Sequence, residues 1–288
     1  MLQIKGSGQG DVRILQSGSP PTQYFVLLLR FTLYVFRLLL SYSLLFLVIV
    51  GSAQTRKRNY VQRELGFFGG GSYYIGDINP RGHFKDAHAA GGIFFRYSPN
   101  YRFSYRFGFN YGQISGDDAT SGEPDQIERN LNFRSKLYEF HINTEFNFVE
   151  YRIGHDRYKF TFFIFAGIAG FNFNPVSNTD VPLRELTTEG QSAPYPKNQL
   201  CLPFGVGLKW NMGEKVGMGI EWGPRRTFTD YLDDIRSVYP EFPGPQKNPA
   251  AVSGNMRGNP STRDWYFYYG VTLNIKLRDP HRSCHKEF

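Results

Sequence analysis

Residues 101–112 read YRFSYRFGFNYG, and their alternation leaves few folds open to this chain. The odd positions are Tyr101, Phe103, Tyr105, Phe107, Phe109 and Tyr111; the even positions are Arg102, Ser104, Arg106, Gly108, Asn110 and Gly112. A period of two places these sets on opposite faces of a β-strand, one aromatic and one polar or bare. The pattern returns in 136–148, 199–212, 215–223 and 265–277, and in weaker, Gly- and Ala-rich form in 64–78, 87–97 and 159–173. Beyond Gln54 no amphipathic helix longer than two turns is evident, so eight strand segments account for the ordered part of the chain.

A soluble sandwich also alternates, so the chemistry of the two faces has to decide. Here the bulky side is aromatic, while the other side carries Arg, Lys, Glu and Gly. A narrow interior filled by glycine and charge pairs, with aromatic rings outside, suits lipid around the wall. Connections also alternate in length. Tight turns fall at Ser98-Pro99-Asn100 and Gly213-Glu214, with a shorter link over 150–158, whereas 113–131, 175–197 and 225–263 are long and polar. The expected fold is all-β: a transmembrane antiparallel up-and-down β-barrel of eight strands, with short periplasmic turns and long outer loops, in the cell outer membrane.

Eight strands leave a lumen that side chains can fill, which argues against a conducting pore. The inward candidates are Arg96, Arg102, Arg106, Glu139, His141, Glu145, Lys209, Lys215 and Glu221. Unpaired charge in such confinement is costly, so an interior charge network of Arg102, Arg106, Glu139, Glu145, Lys209 and Glu221 is expected. Counted from the short turns, Arg106, Glu145 and Glu221 stand at similar heights and should meet.

Composition agrees with strands: 27 Phe, 19 Tyr and 31 Gly among 288 residues. The mean hydropathy of −0.41 excludes a polytopic helical membrane protein. The formal charge is +8, but the basic residues are scattered, and nucleic-acid binding needs a concentrated stripe. Residues 24–50 form an apolar run broken by Arg30 and Arg37, ending in Gly51-Ser52-Ala53. Residues 38–50 read as the apolar core of a signal peptide cleaved between Ala53 and Gln54; the competing reading is a retained transmembrane helix. Residues 1–53 are thus a signal peptide with an N-terminal extension compatible with a start assigned too far upstream. The barrel occupies 54–278, and 279–288 is a polar tail.

No candidate for chemistry stands out. His141 beside Glu139 reads as a hydrogen-bonded lumen residue rather than a general base. His281, Cys284 and His285 offer three metal ligands at most, with no second cluster. Asp230, Asp233 and Asp234 lack the glycine turn and distal Glu of a calcium loop, so a solvated acidic loop is expected. Gly69-Gly70-Gly71 precedes no helix; it marks close approach of strands rather than a phosphate site. Cys201 and Cys284 are expected to lie too far apart to bridge. Neither catalytic, metal nor cofactor-binding residues are therefore assigned.

Five stretches, ELGFFGGGSYYIGDIN (64–79), YRFSYRFGFNYGQISGDD (101–118), RNLNFRSKLYEFHINTEFNF (129–148), EWGPRRTFTDYLDDI (221–235) and RGNPSTRDWYFYYGV (257–271), together resemble the PorG-like outer-membrane barrels of the Bacteroidota type IX secretion system. RTFTDYLDD followed by RGNPSTRDWY is the most specific pair. The resemblance implies a non-enzymatic component of a protein-export machine, anchoring or assembling a periplasmic ring of PorK- and PorN-like proteins, with membrane lipid as its other partner. It carries over no catalytic residue. The extended N-terminus and the tail HRSCHKEF depart from the family pattern. The alternative is a free-standing barrel whose long outer loops bind a ligand or surface. Processing is expected to leave Gln54 as the first residue of the exported chain, read by intact mass; an exported chain retaining residues 24–50 would identify the membrane-anchor reading instead.

Overall fold

The computed structural model describes residues 61–155, 157, 159–241 and 251–278. Eight antiparallel strands follow one another around a closed barrel: β1 (Gln62–Ile75), β2 (His88–Ser98), β3 (Phe103–Asp117), β4 (Asn132–Asn147), β5 (Phe160–Val176), β6 (Asn198–Asn211), β7 (Val216–Thr227) and β8 (Trp265–Lys276). The seam is a full antiparallel ladder from Glu64↔Lys276 to Ile75↔Trp265. With β1 bonded to β8, no backbone edge is left open, which is the condition for a sheet to stand in hydrocarbon. Among the described residues no helix is long and apolar enough to cross a membrane; the crossing is made by strands.

Strand alternation becomes inside and outside of this wall. Outward-facing Phe140, Ile168 and Leu200 are 71, 62 and 65 % exposed, as are, to lesser degree, Phe107 and Tyr105 on β3, Phe160, Phe162 and Ile164 on β5, and Val271 and Leu273 on β8. Burying such rings in water's place would be worth about 1.5–3 kcal/mol each, so their collective exposure means that lipid covers them. Aromatic ladders run along this outer face: Phe109 meets Phe140 edge-on at 5.7 Å between centroids and Tyr111 meets Tyr138 at 5.3 Å, as the β3–β4 register requires. This is an outer-membrane barrel.

The interior holds more aromatic volume than glycine and charge pairs alone would supply. Phe68, Phe94, Phe163, Phe165, Phe171, Phe173, Tyr266 and Tyr268 are all buried. Three of these rings lie against the cations Arg106 and Lys209: Arg106 stands 5.1 Å from the Phe94 centroid and 4.9 Å from that of Phe165, and Lys209 stands 4.1 Å from Phe163. Glycines then serve the seam. A Cβ on Gly70 would lie 2.0 Å from the Tyr269 carbonyl oxygen on the facing strand.

Links alternate between the two ends. Residues 99–102, 148–159 and 212–215 connect strands at one rim; 76–87, 118–131, 177–197 and 228–264 connect them at the other. β3 runs on to Asp117 and β4 starts at Asn132, so part of the polar stretch expected as loop is strand. The link between them carries a short helix, α1 (Pro124–Arg129), opened by its proline and closed by Asn130 in the left-handed region at φ +51°.

The described residues of the long links are in part buried. Asp230, Asp233 and Asp234, expected to be a solvated acidic loop, are 2, 1 and 0 % exposed. The link after β7 folds back over the barrel mouth, where Leu232 and Ile235 join Tyr74, Phe133, Phe173 and Tyr195 in one apolar cluster. That burial of Leu and Ile draws the intervening aspartates inward. Gly70→Val is expected to open the seam by more than about 3 kcal/mol, since a backbone oxygen cannot yield; loss of the compact, heat-modifiable band on gel electrophoresis checks it.

Candidate functional site

The lumen is filled by two layers of charge. In the lower layer Glu145, from β4, receives three cations. Arg106 reaches it through Nε at 3.3 Å, Arg96 through Nε at 2.9 Å and Lys209 through Nζ at 2.5 Å. Arg96 also binds Glu64 at 2.6 Å, and Arg106 binds Glu221 at 2.6 Å. Gln62 donates to Glu64, and Arg96 also donates to Asn274 Oδ1 at 2.9 Å. Three carboxylates thus face three cations drawn from six of the eight strands. Each is positioned by parity, because every second residue of a strand points to the axis.

In the upper layer Glu139 is the hub. Arg225 holds its Oε2 at 3.1 Å, the Tyr266 hydroxyl donates to the same oxygen at 2.7 Å, and Asn110 donates to Oε1 at 2.9 Å. His141 Nδ1 stands 3.3 Å from Oε1. Cys201 is a free, buried thiol 3.2 Å from the Tyr266 oxygen, so it lies within this layer.

The residues assigned to the interior thus separate. Arg106, Glu145, Lys209 and Glu221 stand together, and Glu139 belongs to the layer above, paired with Arg225. Arg102 is a correction: it lies in the turn before β3, exposed, and its guanidinium donates to the Phe148 carbonyl at 2.8 Å. Asn100 Oδ1 accepts from the amides of Arg102 and Phe103, which fixes this turn and ends the alternation one residue short of Arg102. Lys215, also expected inside, is exposed in the 212–215 turn, because β7 begins one residue later at Val216. Ala53, Gln54 and the tail with His281, Cys284 and His285 lie outside the described residues.

Sequence reasoning passed over Glu64, Asn274 and Arg225. Glu64 and Asn274 were readable by parity alone, as inward positions of the first and last strands. Arg225 was hidden because β7 continues to Thr227, three residues into the stretch assigned as loop; the alternation Gly223, Arg225, Thr227 was its signal.

Above the upper layer the long links form a cap. Arg129 on α1 grips Asp118 with Nε at 2.7 Å and Nη2 at 2.8 Å. Its Nη1 donates to the Arg257 carbonyl at 2.7 Å, tying the link after β3 to the link after β7. Arg257 in turn reaches Glu189 at 3.2 Å and Asp234 at 3.5 Å. Tyr195 donates to Asp234 at 2.8 Å and stacks on Tyr231, with centroids 4.6 Å apart. Lumen and cap are both closed by packed side chains: the arrangement can hold the wall in one register, and it presents no open channel among the described residues.

Glu145→Gln is expected to cost about 3–5 kcal/mol, because three buried cations lose the anion they share. Arg102→Ala is expected to change stability by less than about 0.5 kcal/mol. Urea unfolding of the barrel in lipid vesicles measures both.

Among solved structures the chain is similar to the Neisserial surface protein A, at 8 % identity over 75 % of this chain and 97 % of that one, with a TM-score of 0.40. It is similar to Ail, the attachment invasion locus protein of Yersinia pestis, at 9 % identity over 75 % and 97 %, TM-score 0.37. A third is the N-terminal β-barrel domain of Pseudomonas aeruginosa OprF, at 9 % identity over 75 % and 100 %, TM-score 0.35. No curated protein matches. A family profile described as a domain of unknown function, DUF6089, matches residues 40–286, and the chain belongs to that family.

Proposed function

We propose that this protein is a non-enzymatic outer-membrane component of a protein secretion machine of the type IX kind, anchoring or assembling a periplasmic ring. The observation that carries the reading is the sealed lumen. Glu145 with its three cations, and Glu139 with Arg225 and Tyr266, occupy the axis at two heights, so cargo has no path through this wall. A barrel that conducts nothing contributes position: a fixed point in the membrane against which other proteins can be built. The five stretches that resemble PorG-like barrels support the assignment to that machine and to PorK- and PorN-like partners.

The resemblance falls on structurally informative residues. Glu64, Arg106, Glu139, Glu145 and Arg225 of the two layers, and Asp233, Asp234 and Asp264 of the cap, all lie within the matching stretches. These stretches thus include much of the internal frame of the barrel and its cap. The partner face belongs to the end of the short links, 99–102, 148–159 and 212–215, together with the strand ends near Gln62 and Lys276.

A clean deletion of the gene is expected to abolish export of secreted cargo and to lower the amounts of the ring proteins, with both restored by the intact gene. Normal export with an intact ring would dismiss the secretion role while leaving the barrel untouched.

A further inference from the structure

The outer cap buries more carboxylates than its cations neutralise. From the link after β3, Asp118 is matched by Arg129. From the link after β5, Glu189 shares Arg257 with Asp234. Among the described residues no ion pair reaches Asp77 on the link after β1, nor Asp230, Asp233 and Asp264 on the link after β7. Arg236 and Arg263 lie on that same link but are exposed at its edge, and Arg236 is turned over the Tyr231 ring at 5.4 Å.

Proton counting at Tyr74 sharpens the deficit. The phenol oxygen lies 2.5 Å from Asp233 Oδ2 and 3.0 Å from Asp264 Oδ1. A phenol has one proton and can donate to one of them. The other oxygen of each carboxyl is already used: Ile235 N donates to Asp233 Oδ1 at 2.9 Å, and Leu232 N donates to Asp264 Oδ2 at 2.8 Å. With Tyr74 donating to Asp233 over the shorter distance, Asp264 needs a proton of its own to meet the phenol oxygen. Gly76 packs directly against this contact: a Cβ there would stand 2.0 Å from the Tyr74 oxygen and 2.2 Å from Asp264 Oδ1. Asp230 is a second, independent case: it is 2 % exposed, and neither of its oxygens has a hydrogen-bond partner. A buried, unpartnered carboxylate neutralises rather than remaining ionised. Among the described residues no three His, Cys, Asp or Glu side chains are grouped to hold a metal ion.

We propose that the outer cap is a proton-operated lid, held shut by protons on Asp264 and Asp230 and loosened when those protons leave. The lid is independent of the secretion reading, since it belongs to the purified chain.

Electrostatics of the surroundings agree. Burial pushes the Asp230 carboxyl up to about 7, with Asp77 adding repulsion against the weaker pull of Arg263 and Arg236. Burial, then Asp233, raises Asp264; burial, then Asp77, raises Asp233. Asp77 and Asp234 are likewise raised by burial. In an opened cap these carboxyls return to about 4, so the closed form binds more protons. The protons' stabilisation of closure is complete below about pH 4 and is lost as pH rises through the raised values, for Asp230 around neutrality.

Hydrogen–deuterium exchange of the full mature chain in lipid nanodiscs, corrected for intrinsic rates, tests this. Between about pH 6 and about pH 8.5, opening of peptides 228–241 and 251–264 is expected to rise up to about tenfold per pH unit for each proton lost, while strand peptides stay level. Asp264→Asn and Asp230→Asn carry permanently neutral isosteres and are each expected to flatten that rise. Wild-type cap exchange that ignores pH overturns the proposal without recourse to any variant. So does a slope equally steep in both amide variants, or protection at about pH 8.5 restored by calcium chloride instead of by acid.

Discussion

Closure of the sheet is the constraint from which the rest follows. Once β8 bonds to β1, every strand has two neighbours and the wall needs no water for its backbone. The outside can then be apolar throughout, and the strand period sends whatever is polar to the axis. Eight strands enclose too little space for water to solvate ions there, so charge must be balanced by charge at contact distance. The lower layer meets that demand with equal numbers of cations and carboxylates, and the upper layer does so with Arg225 and Glu139 supported by neutral donors.

Such networks are poor sources of net stability, because desolvating ions costs about what their attraction returns. Their stronger consequence is specificity. A slip of one residue in any strand would turn Arg96, Glu139 or Glu145 toward lipid and a phenylalanine toward the axis, leaving partners uncompensated. The inward aromatic rings complete the fit by filling the space between layers and lying against the guanidinium and ammonium groups. A barrel built this way is held in a single register by its own interior.

The cap follows the opposite logic. The lumen balances its charges, whereas the cap gathers Asp77, Asp230, Asp233 and Asp264 without matching cations, held in place by apolar burial of Leu232 and Ile235 and by Tyr74 reaching up from β1. Rigidity and responsiveness are thereby assigned to different parts of one small chain: the wall is compensated, and the mouth is poised on protons.

Alternation by itself determined the barrel. In YRFSYRFGFNYG the two faces are too unlike to be exchanged, and spacing of the turn residues counted the strands. It also placed Arg106, Glu145, Lys209 and Glu221 on the inner face, since parity is a local property of the backbone. Local reading failed where strands begin and end: Arg102 and Lys215 fall in rim turns, and Arg225 lies on a strand that continues past the expected boundary. Counting from the turns brought Arg106, Glu145 and Glu221 together, as the structure has them; that Arg96 and Lys209 also converge on Glu145, and that Glu139 pairs with Arg225, was decided only by tertiary structure, because height on the axis across strands depends on the shear of the closed sheet. The aspartates of TDYLDD became a buried cluster for the same kind of reason. Their solvation depends on three other links closing over the mouth, and no periodicity within the segment itself records that.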